Sequence, residues 1–229
     1  MNICIIPARG GSKRLPGKNL IVYKNRTLVN HAITNALNSN IFDFVILSSE
    51  NTQILAEGNF FLSDQRFISL SRPGQLSEDD VRADEVVRYV IKQKSISSKS
   101  IVCCLLPTTP SITPEILNEA FIEFNLKGLT VGGTLFGVTE SIQTPFRNFE
   151  MTNERELLAL FPKYLHLQSN DYPRTFTDAG QFYFATVETW EKNYSITATY
   201  PSFGFTLNQK IFIDINTQED WDRYVKENS

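Results

Sequence analysis

Short apolar runs alternate along the chain with stretches of helical periodicity. Ile3–Ile6 is a continuous apolar run, the mark of a strand buried on both faces. Leu28, Val29, Ala32, Ile33, Ala36 and Leu37 then fall on one face of a helix. Phe44–Leu47 predicts a second buried strand, and Phe67–Leu70 a third, shorter one. Ala83, Val86, Val87, Val90 and Ile91 form another helical stripe before a strand at Ile101–Leu106. Thr113-Pro114-Glu115 has the chemistry of a helix start: a side-chain cap, a proline in the first turn, then an acid. Ile116, Leu117, Ala120, Phe121 and Phe124 follow at helical spacing, and Leu129–Val138 predicts a strand rich in Thr, Val and Gly. This order predicts an α/β fold: three layers, with a mostly parallel twisted sheet between helices on both faces.

From Ser141 to Tyr200 the pattern loosens into aromatics separated by Pro145, Pro162 and Pro173. Residues 141–200 are expected to form an inserted arm within a single 1–229 domain, with Gln181–Ala185 returning as a strand. Ile211–Ile213 predicts a last short strand. Thr217 and Asp220, at capping-box spacing, open a closing helix that runs to Val225.

Of 229 residues, 41% are apolar and 12% aromatic, enough to build a core. No apolar run approaches the roughly 20 residues that span a membrane, and no signal peptide is expected. The net charge of −3 is unevenly distributed. The first 42 residues hold six of the 22 basic residues and none of the 25 acidic ones, so the remainder carries 16 against 25, a net −9. That balance argues against a nucleic-acid-binding surface and for one local anion site. Cys103 and Cys104 lie together in an apolar run, and Cys4 is the third cysteine. Buried thiols in a reducing cytoplasm fit better than a disulfide framework or a metal held by the vicinal pair.

The strongest chemical signal leaves the first strand: Pro7-Ala8-Arg9-Gly10-Gly11-Ser12-Lys13-Arg14-Leu15-Pro16-Gly17-Lys18-Asn19. Its glycines let backbone N–H groups approach an anion, and Arg9, Lys13, Arg14 and Lys18 supply four cations in ten residues with no acid among them. A strand exit is also where open α/β sheets bind ligands. It is not a P-loop, because five residues separate Gly11 from Gly17 and Asn19 follows Lys18. The dinucleotide pattern of glycines is absent too.

Read from Ile6 to Asn19, this loop resembles the signature of the sugar-acid cytidylyltransferases. The resemblance continues, in family order, through Ser71-Arg72-Pro73, Leu76–Asp80 and Ala83-Asp84, then Cys103–Pro110, Asp178–Phe184 and Phe212–Thr217. The two cysteines before Pro107 and the Asp-Ala-Gly-Gln-Phe-Tyr run look most like the pseudaminic acid branch. The resemblance implies a Rossmann-like nucleotidyltransferase fold, with the arm serving dimerisation. It implies CTP and a sugar acid as partners and Mg²⁺ as cofactor. The reaction would be attack of the anomeric hydroxyl of a nonulosonic acid on the α-phosphate of CTP, with loss of pyrophosphate. Legionaminic, neuraminic or octulosonic acids are alternative acceptors, and a non-catalytic nucleotide-binding homologue is a further alternative.

By the same resemblance, Arg9, Ser12, Lys13 and Lys18 would hold the triphosphate, with the backbone of Ala8, Gly10 and Gly11 around it. Asn19 would brace the loop or touch a phosphate, and Arg72 would reach in from a neighbouring strand exit. Asp84 would orient Arg72 or the loop, or lie at the surface. Arg9, Lys18 and Asp214 carry the catalytic expectation. The metal pair would be Asp214 and Asn216, where Asn replaces the second acid usual in the family. Gln168 stands where an Arg is expected, so Arg174 and Lys163 are candidates for the sugar carboxylate, and Asp178 and Gln181 for its hydroxyl and amide groups. Leu106 would offer only an apolar wall. His31 is expected to be structural, His166 to lie in the sugar segment, and Trp190 and Trp221 to pack helices.

Overall fold

The computed structural model describes residues 1–108 and 110–228. Its strands are β1 (Asn2–Pro7), β2 (Val22–Tyr23), β3 (Arg26–Thr27), β4 (Phe44–Ser49), β5 (Phe67–Ser71), β6 (Ile101–Leu105), β7 (Thr134–Glu140), β8 (Phe149–Met151), β9 (Leu157–Ala159), β10 (Phe176–Thr186) and β11 (Ser202–Thr206). The helices are α1 (Leu28–Asn38), α2 (Thr52–Glu57), α3 (Ala83–Gln93), α4 (Pro114–Leu126), α5 (Val187–Lys192) and α6 (Gln218–Glu227). Seven strands form one sheet in the order β11-β7-β10-β6-β1-β4-β5. β1 pairs parallel with β4 and β6, β4 with β5, and β7 with β11.

β10 runs antiparallel to both its neighbours. The cause is local. β7 ends at Glu140, the arm leaves from that edge, and the chain re-enters at Phe176, directly opposite Glu140. A strand that re-enters from the edge where its neighbour ended must run the other way. The short hairpin β8–β9 stands on the arm between them.

Both sheet faces are covered. Alternate residues of the central strands point to opposite sides. Cys4, Ile6 and Cys103 pack with α1 and α4, whereas Ile3, Ile5 and Cys104 pack with α3 and α5. The vicinal cysteines therefore face different layers and cannot share a metal. All three cysteines are buried and unpaired, and burial pushes the Cys103 and Cys104 thiols up. A third, smaller cluster joins Leu15 of the glycine-rich loop to Leu28, Ile213, Ile215 and Tyr224 of α6.

Two expectations require correction. Ile211–Ile213 is not a strand: Asn208 O receives the N–H groups of Ile211 and Phe212, closing a turn, and Ile213 and Ile215 are buried in the third cluster instead. The edge strand is Ser202–Thr206, whose Gly, Ser and Thr resemble turn residues but whose Phe203 and Phe205 pack on the α1–α4 side. Leu129–Val138 likewise opens with a tight turn and two glycines at positive φ, and strand pairing starts only at Thr134. Helix α2 was not anticipated; Asn51 Oδ1 caps it by accepting from Gln53 N and Ile54 N.

Capping elsewhere follows the sequence. Thr113 accepts from Ile116 N at the start of α4, and Thr217 and Asp220 form the capping box of α6. Trp190 is buried and its indole N–H donates to Val102 O at 3.2 Å. His31 is structural, its Nε2 lying 2.7 Å from Tyr23 O. Phe184 is fully buried and meets the rings of Phe42, Phe121, Phe124 and Phe182. Phe184→Ala is expected to cost about 3–5 kcal/mol, the range for emptying such a site, and denaturant unfolding will measure it.

Candidate active site

The glycine-rich loop leaves β1 at the C-terminal edge of the sheet and is pinned from within. Ala8 N donates to Ser48 O, Ser12 N to Gly10 O, and Lys18 N to Leu15 O. Asn19, 5% exposed, donates through Nδ2 to Arg9 O at 2.8 Å, so it braces the loop. Gly10 must be glycine here, because a Cβ would sit 2.3 Å from Nδ2 of Asn51, which is fixed as the α2 cap.

Around this loop opens a cleft of about 180 Å³. The β1 exit brings Arg9, Ser12, Lys18 and Asn19 to it, the β5 exit Arg72 and Leu76–Glu78, the β6 exit Leu106–Thr108, and the segment before α6 brings Asp214 and Asn216. Residues nearly 200 positions apart thus share one wall. Thr109, in the Pro107–Pro110 segment, lies outside the described residues.

Glu50, just beyond β4, ties the cleft together. Its carboxylate accepts from Gly10 N at 2.7 Å and from the Ser77 hydroxyl, and lies 3.2 Å from the Arg72 guanidinium. Arg72 is 5% exposed and also donates to Ser48 O and to Ser77 Oγ. Burial works against the charged form of Glu50, but the Ser77 hydroxyl, backbone N–H groups and Arg72 outweigh it and hold the carboxyl below its usual range. Sequence reasoning missed Glu50. The available signal was its position at a strand exit next to the loop.

The cations are in different states. Arg9 and Lys13 both pair with Asp79, at 3.1 and 2.5 Å, near the surface where such pairs exchange easily. Lys18 donates through Nζ to Asn216 Oδ1 at 2.9 Å, and Asn216 Nδ2 donates to Asp214 Oδ2 at 2.6 Å. Burial lowers the Lys18 ammonium and raises the Asp214 carboxyl, while each charge pulls the other toward ionisation. Gly180, at φ +63°, gives Asp214 its room: a Cβ there would lie 2.7 Å from Asp214 Oδ2.

The other expected residues lie elsewhere. Asp178 is held beside the bulge of β10 by Gly180 N and the Tyr183 hydroxyl. Gln181 is fully buried, with Nε2 on Ala179 O, and does not line the cleft. Asp84 is buried and bound by Arg82 and Ile196 N; it neither orients Arg72 nor faces solvent. Gln168, His166 and Lys163 are exposed on the arm, and Arg174 is gripped by both oxygens of Glu140 at 2.8 and 2.9 Å. Among the described residues, no three His, Cys, Asp or Glu side chains gather as a metal cluster.

Residues 3–172 match the cytidylyltransferase family model. The chain belongs to the cytidylyltransferase family. It is 34% identical to the pseudaminic acid cytidylyltransferase of Campylobacter jejuni subsp. jejuni serotype O:2 over 96% of this chain and 92% of that one. It is 26% identical to the CMP-N,N'-diacetyllegionaminic acid synthase of Legionella pneumophila, with the same two coverages. Among solved structures, it resembles a CMP:2-keto-3-deoxy-manno-octonic acid synthetase complexed with CTP, at TM-score 0.70, 14% identity and 98% coverage of both chains. That likeness shows a shared nucleotidyltransferase fold.

The Glu50 contacts set a pH-dependent stability. Its depressed carboxyl stabilises the folded state above the unfolded-state value, and that contribution disappears as pH falls through the folded-state value. Glu50→Gln is expected to cost about 3–5 kcal/mol near neutrality, because it leaves the buried Arg72 charge without its partner. The gap to the parent protein should narrow as Glu50 itself protonates, which urea unfolding across the acid range will measure.

Proposed function

We propose that this cytidylyltransferase moves CMP from CTP to the anomeric hydroxyl of a nonulosonic acid, pseudaminic acid in particular. The hydroxyl oxygen bonds to the α-phosphorus, the α–β bridging bond breaks, pyrophosphate leaves, and the hydroxyl proton passes to water. The carrying observation is the convergence of Arg9, Lys18, Arg72 and Asp214 on one cleft. The pseudaminic branch draws support from the 34% identity over nearly the whole chain. A triphosphate and a sugar acid bring together about five negative charges, so catalysis here is positioning and neutralisation.

Arg9 and Lys13 exchange Asp79 for phosphate oxygens, and the backbone N–H groups of Gly10, Gly11 and Ser12 lie along the same loop. Mg²⁺ fits this donor set as an ion that keeps water and phosphate around a single protein carboxylate, Asp214. When bound, the ion neutralises phosphate charge. Lys18 would turn from Asn216 Oδ1 to a phosphate, and Asp214 with the Asn216 amide oxygen would hold the ion.

The arm is assigned to a homodimer. Phe149, Met151, Leu157, Leu158, Leu160 and Phe161 of the hairpin region are all at least 37% exposed, and such a patch on a small chain marks an interface. A reducing cytoplasm suits three unpaired thiols. Among the described residues no helix is long and apolar enough to cross a membrane.

A panel of sugar acids with CTP and Mg²⁺, with UTP as base control, should release pyrophosphate fastest with pseudaminic acid. Tight CTP binding with no release from any acid would indicate a non-catalytic homologue instead. Asp214→Ala is expected to lower the Mg²⁺-dependent rate about 100-fold or more. Sedimentation at micromolar concentration should give a dimer, and Leu157→Asp with Phe149→Asp should give a monomer.

A further inference from the structure

Two cations of the glycine-rich loop share one acid. Asp79 Oδ1 lies 3.1 Å from Arg9 Nη1 and Asp79 Oδ2 lies 2.5 Å from Lys13 Nζ, so a single carboxylate bridges both. Arg9 Nη1 also donates to the Glu78 carbonyl at 3.1 Å. The pairing favours the charged forms: Lys13 holds the Asp79 carboxyl below its usual range, and Asp79 raises the Lys13 ammonium.

Asp79 sits on a strap, residues 78–82, that runs from the segment after β5 to α3. Both ends of the strap are fixed. Ser77 is bound to Glu50 and Arg72, and Arg82 N donates to Glu85 Oε1 at 3.1 Å in the first turn of α3. Between these anchors the strap meets the loop through the Asp79 pairs and the Glu78 carbonyl. Such contacts exchange readily, because the Lys13 and Asp79 side chains are 83% and 46% exposed. The strap also divides two spaces. Ser77 and Glu78 line the cleft together with Arg9 and Lys18. They also line a second space of about 500 Å³, with Gly11, Lys13, Asp79 and Asp80. Lys13 belongs to that outer space and not to the cleft, so its place is at the outer end of a polyphosphate.

We propose that Asp79 is a built-in competitor for the outer phosphates: it holds Arg9 and Lys13 in their absence, yields both as CTP enters, and takes them back as pyrophosphate leaves. This rests on the CTP-dependent transfer proposed above and concerns the affinity of that same site. The competition weakens binding of the substrate triphosphate and of the pyrophosphate product alike, and the product must depart before the next turnover. A nucleoside monophosphate has no outer phosphate, so Asp79 does not oppose it.

Calorimetric titration of full-length Asp79→Asn with CTP, pyrophosphate and CMP, each with Mg²⁺, tests this. The dissociation constants of CTP and pyrophosphate should fall about 3- to 10-fold, the range for releasing two exposed ion pairs, while that of CMP stays unchanged. Asp80 lines the same space without joining the pair, so Asp80→Asn removes an equal charge and should move the CTP constant less than about twofold. Unchanged or weaker binding of CTP and pyrophosphate in Asp79→Asn overturns the proposal. So does an equal gain for CMP, or an equal gain in Asp80→Asn. Absence of turnover with every sugar acid would sink the transfer reading and leave these titrations decisive for Asp79. If the parent protein binds neither CTP nor pyrophosphate, binding that appears in Asp79→Asn upholds the competitor, and its absence there overturns it.

Discussion

A single carboxylate at the exit of a central strand sets the geometry of the cleft around the glycine-rich loop. Glu50 accepts from the loop at Gly10, takes the hydroxyl of Ser77 and balances the buried charge of Arg72. The loop at Gly10 and the Arg72–Ser77 segment, distant in sequence, meet on its two oxygens. An arginine 5% exposed without a counter-charge would be strongly destabilising, so the position of Glu50 and the burial of Arg72 depend on each other. The loop inherits its shape from that pair, because Gly10 is held by Glu50 on one side and crowded by Asn51 on the other.

Charge in the cleft is held in contacts between the loop cations and later segments. Arg9 and Lys13 rest on Asp79, and Lys18 rests on Asn216. Arg72 differs, being locked into the protein and serving as a fixed positive wall. Asn216 links Lys18 to Asp214 as a neutral amide, so the site holds one carboxylate where two would repel each other. The basic head seen in the composition is therefore a set of loop cations matched to acids and amides supplied by later segments.

Much of this was legible in sequence because it is local. The apolar runs of β1, β4 and β6, the stripes of α1, α3 and α4, and the caps at Thr113 and Thr217 each depend on near neighbours. What was missed depends on tertiary context. Ile211–Ile213 has strand composition but fills the cluster under α6, while Ser202–Thr206 looks like a turn yet pairs with β7. The residues leave Gln181 open between a substrate contact and sheet packing, and only the fold shows it fully buried with Nε2 on Ala179 O. Glu50 carries no motif of its own; only the folded sheet brings it to the loop.

The proposed reaction moves the α-phosphorus of CTP to a sugar acid at this cleft. Phosphorus NMR of CTP, Mg²⁺ and pseudaminic acid with the protein tests it directly. The triphosphate signals should decline while a phosphodiester and pyrophosphate rise in equal amounts. Unchanged triphosphate signals, or appearance of CMP monoester in place of the diester, would contradict it.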